Sequence, residues 1–260
     1  MEENAARTDG DGQAPALRLA GLRKQFGETT AVDHLDLAVP RGSFFGLVGA
    51  NGAGKTTALS MAVGLLRPDA GRVFGVDVWA DPVAAKRIIG VLPDGLALPE
   101  RLTGRELLTY LGLLRGLDRA TVAARAGELL EVLELAAAER TLVTDYSAGM
   151  RKKITLATAL LHTPRLLVLD ELFEAIDPVS AATIRAILER FVGAGGSVVI
   201  SSHVMALVEQ VCDHIGVIAR GRLVASGTLD QVRDGGSLDD AFVRLVGGHV
   251  SVEGLSWLES

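Results

Sequence analysis

Residues 49 to 57 read Gly-Ala-Asn-Gly-Ala-Gly-Lys-Thr-Thr. They fit the phosphate-cradling pattern in which a glycine, four variable residues, Gly-Lys and a hydroxyl residue follow one another, from Gly49 through Gly54 and Lys55 to Thr56. Glycines let backbone N–H groups turn inward and reach phosphate oxygens with no Cβ in the way. Lys55 supplies a point charge for the β- and γ-phosphates, and the Thr56 hydroxyl suits Mg²⁺. The flanks agree. Ser43-Phe-Phe-Gly-Leu-Val-Gly49 is an apolar run suited to a buried strand, and Thr56 to Leu66 suits a helix whose positive end faces the same anion. An incidental Gly-rich turn would not carry both flanks, so the stretch predicts a nucleoside triphosphate site.

The chain has 260 residues and 48% hydrophobic content, enough for one or two compact units, read as a core with an inserted lobe. One cysteine, Cys212, excludes an intramolecular disulfide and reads as a small buried thiol. A net charge of −6 and the lack of a basic stripe argue against nucleic acid as a partner. The densest basic cluster, Arg151-Lys152-Lys153, reads as a solvated helix face. Residues 1–15 are polar and acidic with no apolar stretch, which predicts a flexible tail and no signal peptide. Phe191 to Val208 carries no Asp, Glu, Lys or Arg, but Gly193, Gly195, Gly196, three serines and His203 divide it into helix end, strand and helix start. No segment spans a bilayer by itself.

Leu17 to Phe26 and Ala31 to Val39 alternate as two strands turned around Gly27-Glu28. Arg72 to Val78 reads as a short strand, and Asp81-Pro82 opens a helix leading into the strand Ile88 to Leu92. From Leu102 the period becomes helical. Thr103 with Glu106 forms a capping box, Asp118 or Thr121 starts a second helix, and Ser147 caps a third that Pro164 stops. Residues ~100 to ~163 are thus expected to be a helical insertion. Strand and helix then alternate: Arg165 to Asp170, a helix capped by Asp177, Ser197 to Ser202, and a hairpin from His214 to Ala225 around Arg220-Gly221. Thr228 and Ser237 cap two short helices in a C-terminal extension over 229–260. The alternation predicts a mostly parallel sheet wrapped by helices, with phosphate bound at the carboxyl ends of its strands.

Leu166-Leu-Val-Leu-Asp170-Glu171 ends an apolar strand in two acids. A nucleotidase of this kind needs an Asp there to hold Mg²⁺. Successive strand side chains point to opposite faces, which leaves Glu171 to orient or deprotonate an attacking water. Tyr146-Ser-Ala-Gly-Met150, just upstream, narrows the class. With these motifs in this order, the chain resembles the ATP-binding subunits of ABC transporters from Leu17 to about Leu229.

The resemblance implies an α/β fold of the P-loop NTPase, RecA-like type: a mostly parallel sheet core, an antiparallel β subdomain and an inserted α-helical subdomain, within a domain spanning 16–228. It implies ATP and Mg²⁺ as cofactors and an ATPase that powers export. Gly49, Asn51, Gly52, Ala53, Gly54, Lys55, Thr56 and Thr57 match Walker A, and Leu166 to Asp170 match Walker B. Glu171 takes the place of the catalytic glutamate, His203 that of the switch histidine, and Lys55 joins them as a catalytic group. Phe26 falls where an aromatic ring stacks on adenine. Ser147 and Gly149 match the signature motif, usually Leu-Ser-Gly-Gly-Gln, and Asp177 lies in the D-loop. Thr56, Asp170 and Asp94 are the candidate metal ligands. His34, His162, His214 and His249 keep a structural reading.

Departures are visible too. Asp94 stands where the Q-loop glutamine is usual, Leu172 replaces a proline, Ala175 a D-loop glycine, and Ala148 a signature glycine. The looser signature and acidic Q-loop look most like ABC-2-type exporter subunits. The family builds each site from two chains, so the resemblance implies a homodimer or a paralogous heterodimer in which Ser147 and Gly149 of one copy meet the γ-phosphate on the other's loop. The Arg151-Lys152-Lys153 cluster, in the first turns of that helix, is a candidate aid to this contact. The resemblance also implies an integral membrane permease on a separate chain, and a cytoplasmic protein held peripherally at the inner face of the membrane. Gly95 to Leu102 is apolar for a loop, either a docking surface or a loop tucking leucines into its own domain. The competing readings are a soluble ABC-type ATPase and a nucleotide-gated module with little turnover. A single P-loop and the lack of heptads weigh against the first, Glu171 and His203 against the second.

Overall fold

The computed structural model describes residues 14–74, 78–95, 97–99, 101–174 and 176–247. The tail before residue 14, Ala175, His249 and the end of the C-terminal extension therefore lie outside the described residues.

Antiparallel strands β1 (Leu17–Phe26) and β2 (Thr29–Val39) precede β3 (Phe44–Val48), the strand that ends at the glycine loop. Strand β4 (Ala70–Phe74) joins the first two in a three-stranded antiparallel sheet of order β2-β1-β4. It begins two residues before the expected Arg72. The main sheet adds β5 (Ile89–Leu92), β6 (Leu166–Leu169), β7 (Ser197–Ser202), β8 (His214–Ala219) and β9 (Arg222–Thr228). Its order is β5-β6-β7-β3-β8-β9, parallel except for β9, which runs antiparallel to β8 through a turn at Arg220 and Gly221, both at positive φ.

Period-two alternation explains why this sheet is buried on both sides. Phe44, Val48, Leu167, Leu169, Val198 and Ile200 face one core, shared with the helical lobe. Phe45, Leu47, Leu166, Val168 and Val199 face the other, shared with β1 and β2. The second core is closed by α1 (Lys55–Ala62) and by Ala85 of α2 (Pro82–Ile88).

The lobe consists of α3 (Gly104–Leu114), α4 (Arg119–Val132) and α5 (Ala148–Leu160). Its starts follow from side-chain caps. Thr103 and Glu106 form the reciprocal box, Asp118 accepts from the Thr121 N–H at 2.9 Å, and Ser147 accepts from the Met150 N–H at 3.2 Å. Leu98 and Leu102 lean on the same core, so these two leucines tuck inward. Beyond the lobe lie α6 (Pro178–Gly193), α7 (Met205–Val211), α8 (Leu229–Arg233) and α9 (Leu238–Val246). The last is docked: Leu238 is fully buried and its N–H donates to Glu209 of α7 at 2.6 Å. Among the described residues no helix is long and apolar enough to cross a membrane.

Candidate active site

Strand order decides what meets what. Strands β6, β7 and β3 are neighbours and parallel, so the segments leaving their carboxyl ends emerge side by side. These are Asp170-Glu171, His203 and the glycine loop. The loop turns into α1 at Gly54, whose φ of 105° and close approach to the Ala31 carbonyl (a Cβ would come within 2.3 Å) admit only glycine. No side chain caps α1. Its first N–H groups are thereby left for an anion. Gly49 is buried at the end of β3, and the Ala53 N–H donates to the Ala50 carbonyl at 3.1 Å inside the loop's own turn.

A cleft of about 500 Å³ opens over this loop. Asn51, Gly52, Gly54, Lys55, Thr56 and Thr57 form one wall, with Phe26 and Ala31 beyond them. Asp94, Glu171, Glu174 and His203 form the other. Phe26 is half exposed, with the Lys24 ammonium 5.7 Å from its ring centre. Two grooves of about 700 Å³ lie elsewhere, beside Arg18 and His214 and beside Arg165 and Gly195. Neither contains the glycine loop or the paired acids, so the chemistry belongs to the smaller cleft.

Glu171 is the hub. One carboxylate oxygen lies 3.4 Å from the Lys55 ammonium and the other 3.1 Å from His203 Nδ1. Lys55 is buried and also donates to the Gly49 and Ala50 carbonyls, at 2.9 and 3.3 Å. The Glu171 backbone is left-handed, φ 45°, an uncommon state for a side chain of this size. Its N–H donates to Ser201 Oγ at 3.0 Å, and the same hydroxyl donates to the buried carboxylate of Asp170. Ser201 thus ties both acids to β7, a role the sequence reading missed. The signal was β-sheet register: Leu169 pairs with Ile200, which sets Asp170 beside Ser201.

The basic cluster is not the single solvated face expected of it: Arg151 is exposed, Lys152 half-buried and Lys153 buried, and each has its own acceptor within the chain. Arg151 donates to the Tyr146 and Thr144 carbonyls, Lys153 is buried against Glu134 at 2.9 Å, and Lys152 donates to the Glu171 carbonyl at 2.8 Å. Consecutive helical residues point about 100° apart, so three basic neighbours cannot share one face.

Ser147, Gly149 and Asp177 do not line the cleft of their own chain. Ser147 caps α5, and Asp177 caps α6 by accepting from the Val179 and Ser180 N–H groups at 3.0 and 2.9 Å. The bonds to Ser180 are the main reason the Asp177 carboxyl is held below its ordinary value. His34 and His214 sit beside Asp33 and Asp213. His162 is buried, with Nε2 at 3.1 Å from the Ile89 carbonyl; burial first, then the neighbouring Arg115 charge, brings its pKa down to about 4. Burial pushes the Cys212 thiol up, as suits an unreactive core residue.

Comparisons with known proteins agree with this geometry. The ABC transporter family model matches residues 32–174. The daunorubicin resistance ATP-binding protein DrrA3 of Streptomyces coeruleorubidus is 39% identical over 236 residues, 89% of this chain and 75% of its own. The Nod factor export ATP-binding protein I of Ralstonia nicotianae is 38% identical over 220 residues, 84% of this chain and 68% of its own. The solved ATP-binding subunit of an ABC transporter superposes with a TM-score of 0.82 at 29% identity, covering 88% of this chain and 99% of that one. The chain belongs to the ABC transporter family, as one of its ATP-hydrolysing, ATP-binding subunits.

Proposed function

We propose that this subunit hydrolyses Mg-ATP at the Glu171 cleft and thereby powers export of a drug-like or antibiotic-like compound through a separate permease chain. The observation that carries the reading is the Glu171 carboxylate, set between Lys55 and His203 at the mouth of the glycine loop. Lys55 is placed to transfer from Glu171 to the phosphates. Glu171 then takes a proton from the attacking water, with His203 oriented by the same carboxylate.

The donor set fits Mg²⁺. Thr56 is exposed at the cleft, while the Asp170 carboxylate is buried and held by Ser201 next to Glu171; both are hard oxygen donors suited to a hard cation. Among the described residues no group of three or more His, Cys, Asp or Glu side chains could hold a metal ion. Mg²⁺ arriving with ATP would bring phosphate oxygens as further ligands and would neutralise phosphate charge. Asp94 also lines the cleft, but its carboxylate is paired with the Lys152 ammonium at 3.8 Å.

Each site takes Ser147 and Gly149 from a second copy, head to tail. Support comes from Ser147 and Gly149, which stand at another helix N-terminus and do not line the cleft of their own chain. Export rather than import is suggested by relatives named for drug resistance and for export. The exposed Tyr110 and Leu114 of α3 offer an apolar surface to a permease, which would hold the protein peripherally at the inner membrane face.

The test is turnover by purified protein with Mg-ATP. Lys55→Ala is expected to abolish it, and Glu171→Gln to bind ATP while turning over at least a hundredfold more slowly. Wild-type rates in either variant would remove the assignment.

A further inference from the structure

We propose that Lys152 is a positioning residue for hydrolysis: it grips the backbone of Glu171 from α5 of the same chain and neutralises Asp94 at the cleft wall. The inference rests on the reading that Glu171 activates the water. The Lys152 side chain is only 19% exposed, and its ammonium lies 2.8 Å from the Glu171 carbonyl oxygen and 3.8 Å from Asp94 Oδ1. A solvated lysine would leave its donors to water; this one donates to a backbone carbonyl and keeps a carboxylate within ion-pair range.

The geometry gives the contact its meaning. Glu171 is held at φ 45°, a conformation that glycine adopts readily and glutamate does not. Something must hold it there. On the amino side, Ser201 Oγ accepts from its N–H at 3.0 Å. On the carboxyl side, its carbonyl closes a turn with the Glu174 N–H at 3.2 Å and accepts from Lys152. The peptide is fixed at both ends, and only then does the side chain enter the cleft between Lys55 and His203. Removing the charged donor leaves the carbonyl held by the Glu174 N–H alone, and the carboxylate loses part of its fixed origin. Misplacing a reacting group by about 1 Å costs on the order of a hundredfold in rate.

The second half concerns binding. Asp94 lines the same cleft and carries negative charge where a triphosphate must approach. Lys152 offsets that charge at close range. The two jobs separate kinetically, because backbone positioning enters kcat while an uncompensated carboxylate raises KM for ATP.

The experiment measures kcat, KM and thermal midpoint for the full chain with Mg-ATP in five forms: wild type, Glu171→Gln, Lys152→Met, Lys152→Arg and Lys152→Met with Asp94→Asn. Lys152→Met keeps the aliphatic stem and should lower kcat roughly ten- to a hundredfold while raising KM. Lys152→Arg should recover kcat to within about threefold of wild type by restoring a charged donor. The double variant should recover KM while kcat stays low. The proposal is overturned if Lys152→Met keeps kcat within twofold of wild type, if Lys152→Arg is as slow as Lys152→Met, or if the double variant recovers kcat. A wild-type protein without turnover, or Glu171→Gln as fast as wild type, would instead sink the assignment of Glu171.

Discussion

Ser201→Ala is the sharpest probe of how the two acids are held. The hydroxyl is 2% exposed, accepts from the Glu171 N–H at 3.0 Å and donates to the Asp170 carboxylate. Alanine removes both bonds and leaves a buried donor and a buried charged acceptor facing a methyl group. An orphaned buried polar group costs about 1–3 kcal/mol, and a bond to a charged group lies at the upper end. The two share one hydroxyl, so the sum is taken as about 2–4 kcal/mol. For a chain of this size that lowers the thermal midpoint by roughly 5–15 °C. Turnover should fall further than occupancy, because Asp170 and the Glu171 backbone both lose alignment. The assay is a melting curve beside steady-state Mg-ATP hydrolysis on the same preparation. A variant that melts and turns over like wild type would refute the assigned role of this hydroxyl.

Stability should also depend on pH through His162. The folded protein keeps this imidazole neutral down to a pKa of about 4, whereas the unfolded chain protonates near 6.5. The unfolded state thus binds more protons between those values, and stability present above pH 6.5 is lost as pH falls towards 4, by about 2 kcal/mol between pH 7 and 5. His162→Gln should flatten that slope in denaturant titrations, and an unchanged slope would show that other groups carry it. In the fold itself, Gly90 of β5 lies where a Cβ would come within 2.3 Å of the Ala159 carbonyl of α5. Gly90→Ala should cost about 1–3 kcal/mol, read as a lower melting midpoint, and an unchanged midpoint would mean that strand and helix are not so closely packed.

What the sequence made legible was local. The glycine loop, the apolar strands and the caps at Thr103, Ser147 and Asp177 depend on neighbours within a few residues, and the structure places each as its chemistry asks. Boundaries were less visible. Helix α1 ends at Ala62 rather than Leu66 because Gly64, at φ 77°, turns the chain out of the helix. The long-range contacts were hidden altogether. Ser201 and Asp170 are 31 residues apart, and only the pairing of β6 with β7 brings them together. Lys152 reaches Glu171 across 19 residues. Its neighbours show why the basic run misled: three charges in a row suggest one patch, yet each lies on a different side of α5 and finds its own acceptor. The order Walker A, signature, Walker B, switch histidine was enough to mark the family, since strand order then carries most of these segments to one end of the sheet.

The most direct measurement is the mass in solution of Glu171→Gln with and without saturating Mg-ATP, alone and combined with Ser147→Arg. A site completed by the signature helix of a second copy predicts a dimer with ATP and a monomer without it. It predicts further that Ser147→Arg stays monomeric while still binding one ATP per chain. A Glu171→Gln protein that remains monomeric at saturating ATP, or a Ser147→Arg combination that dimerises just as well, would contradict the account.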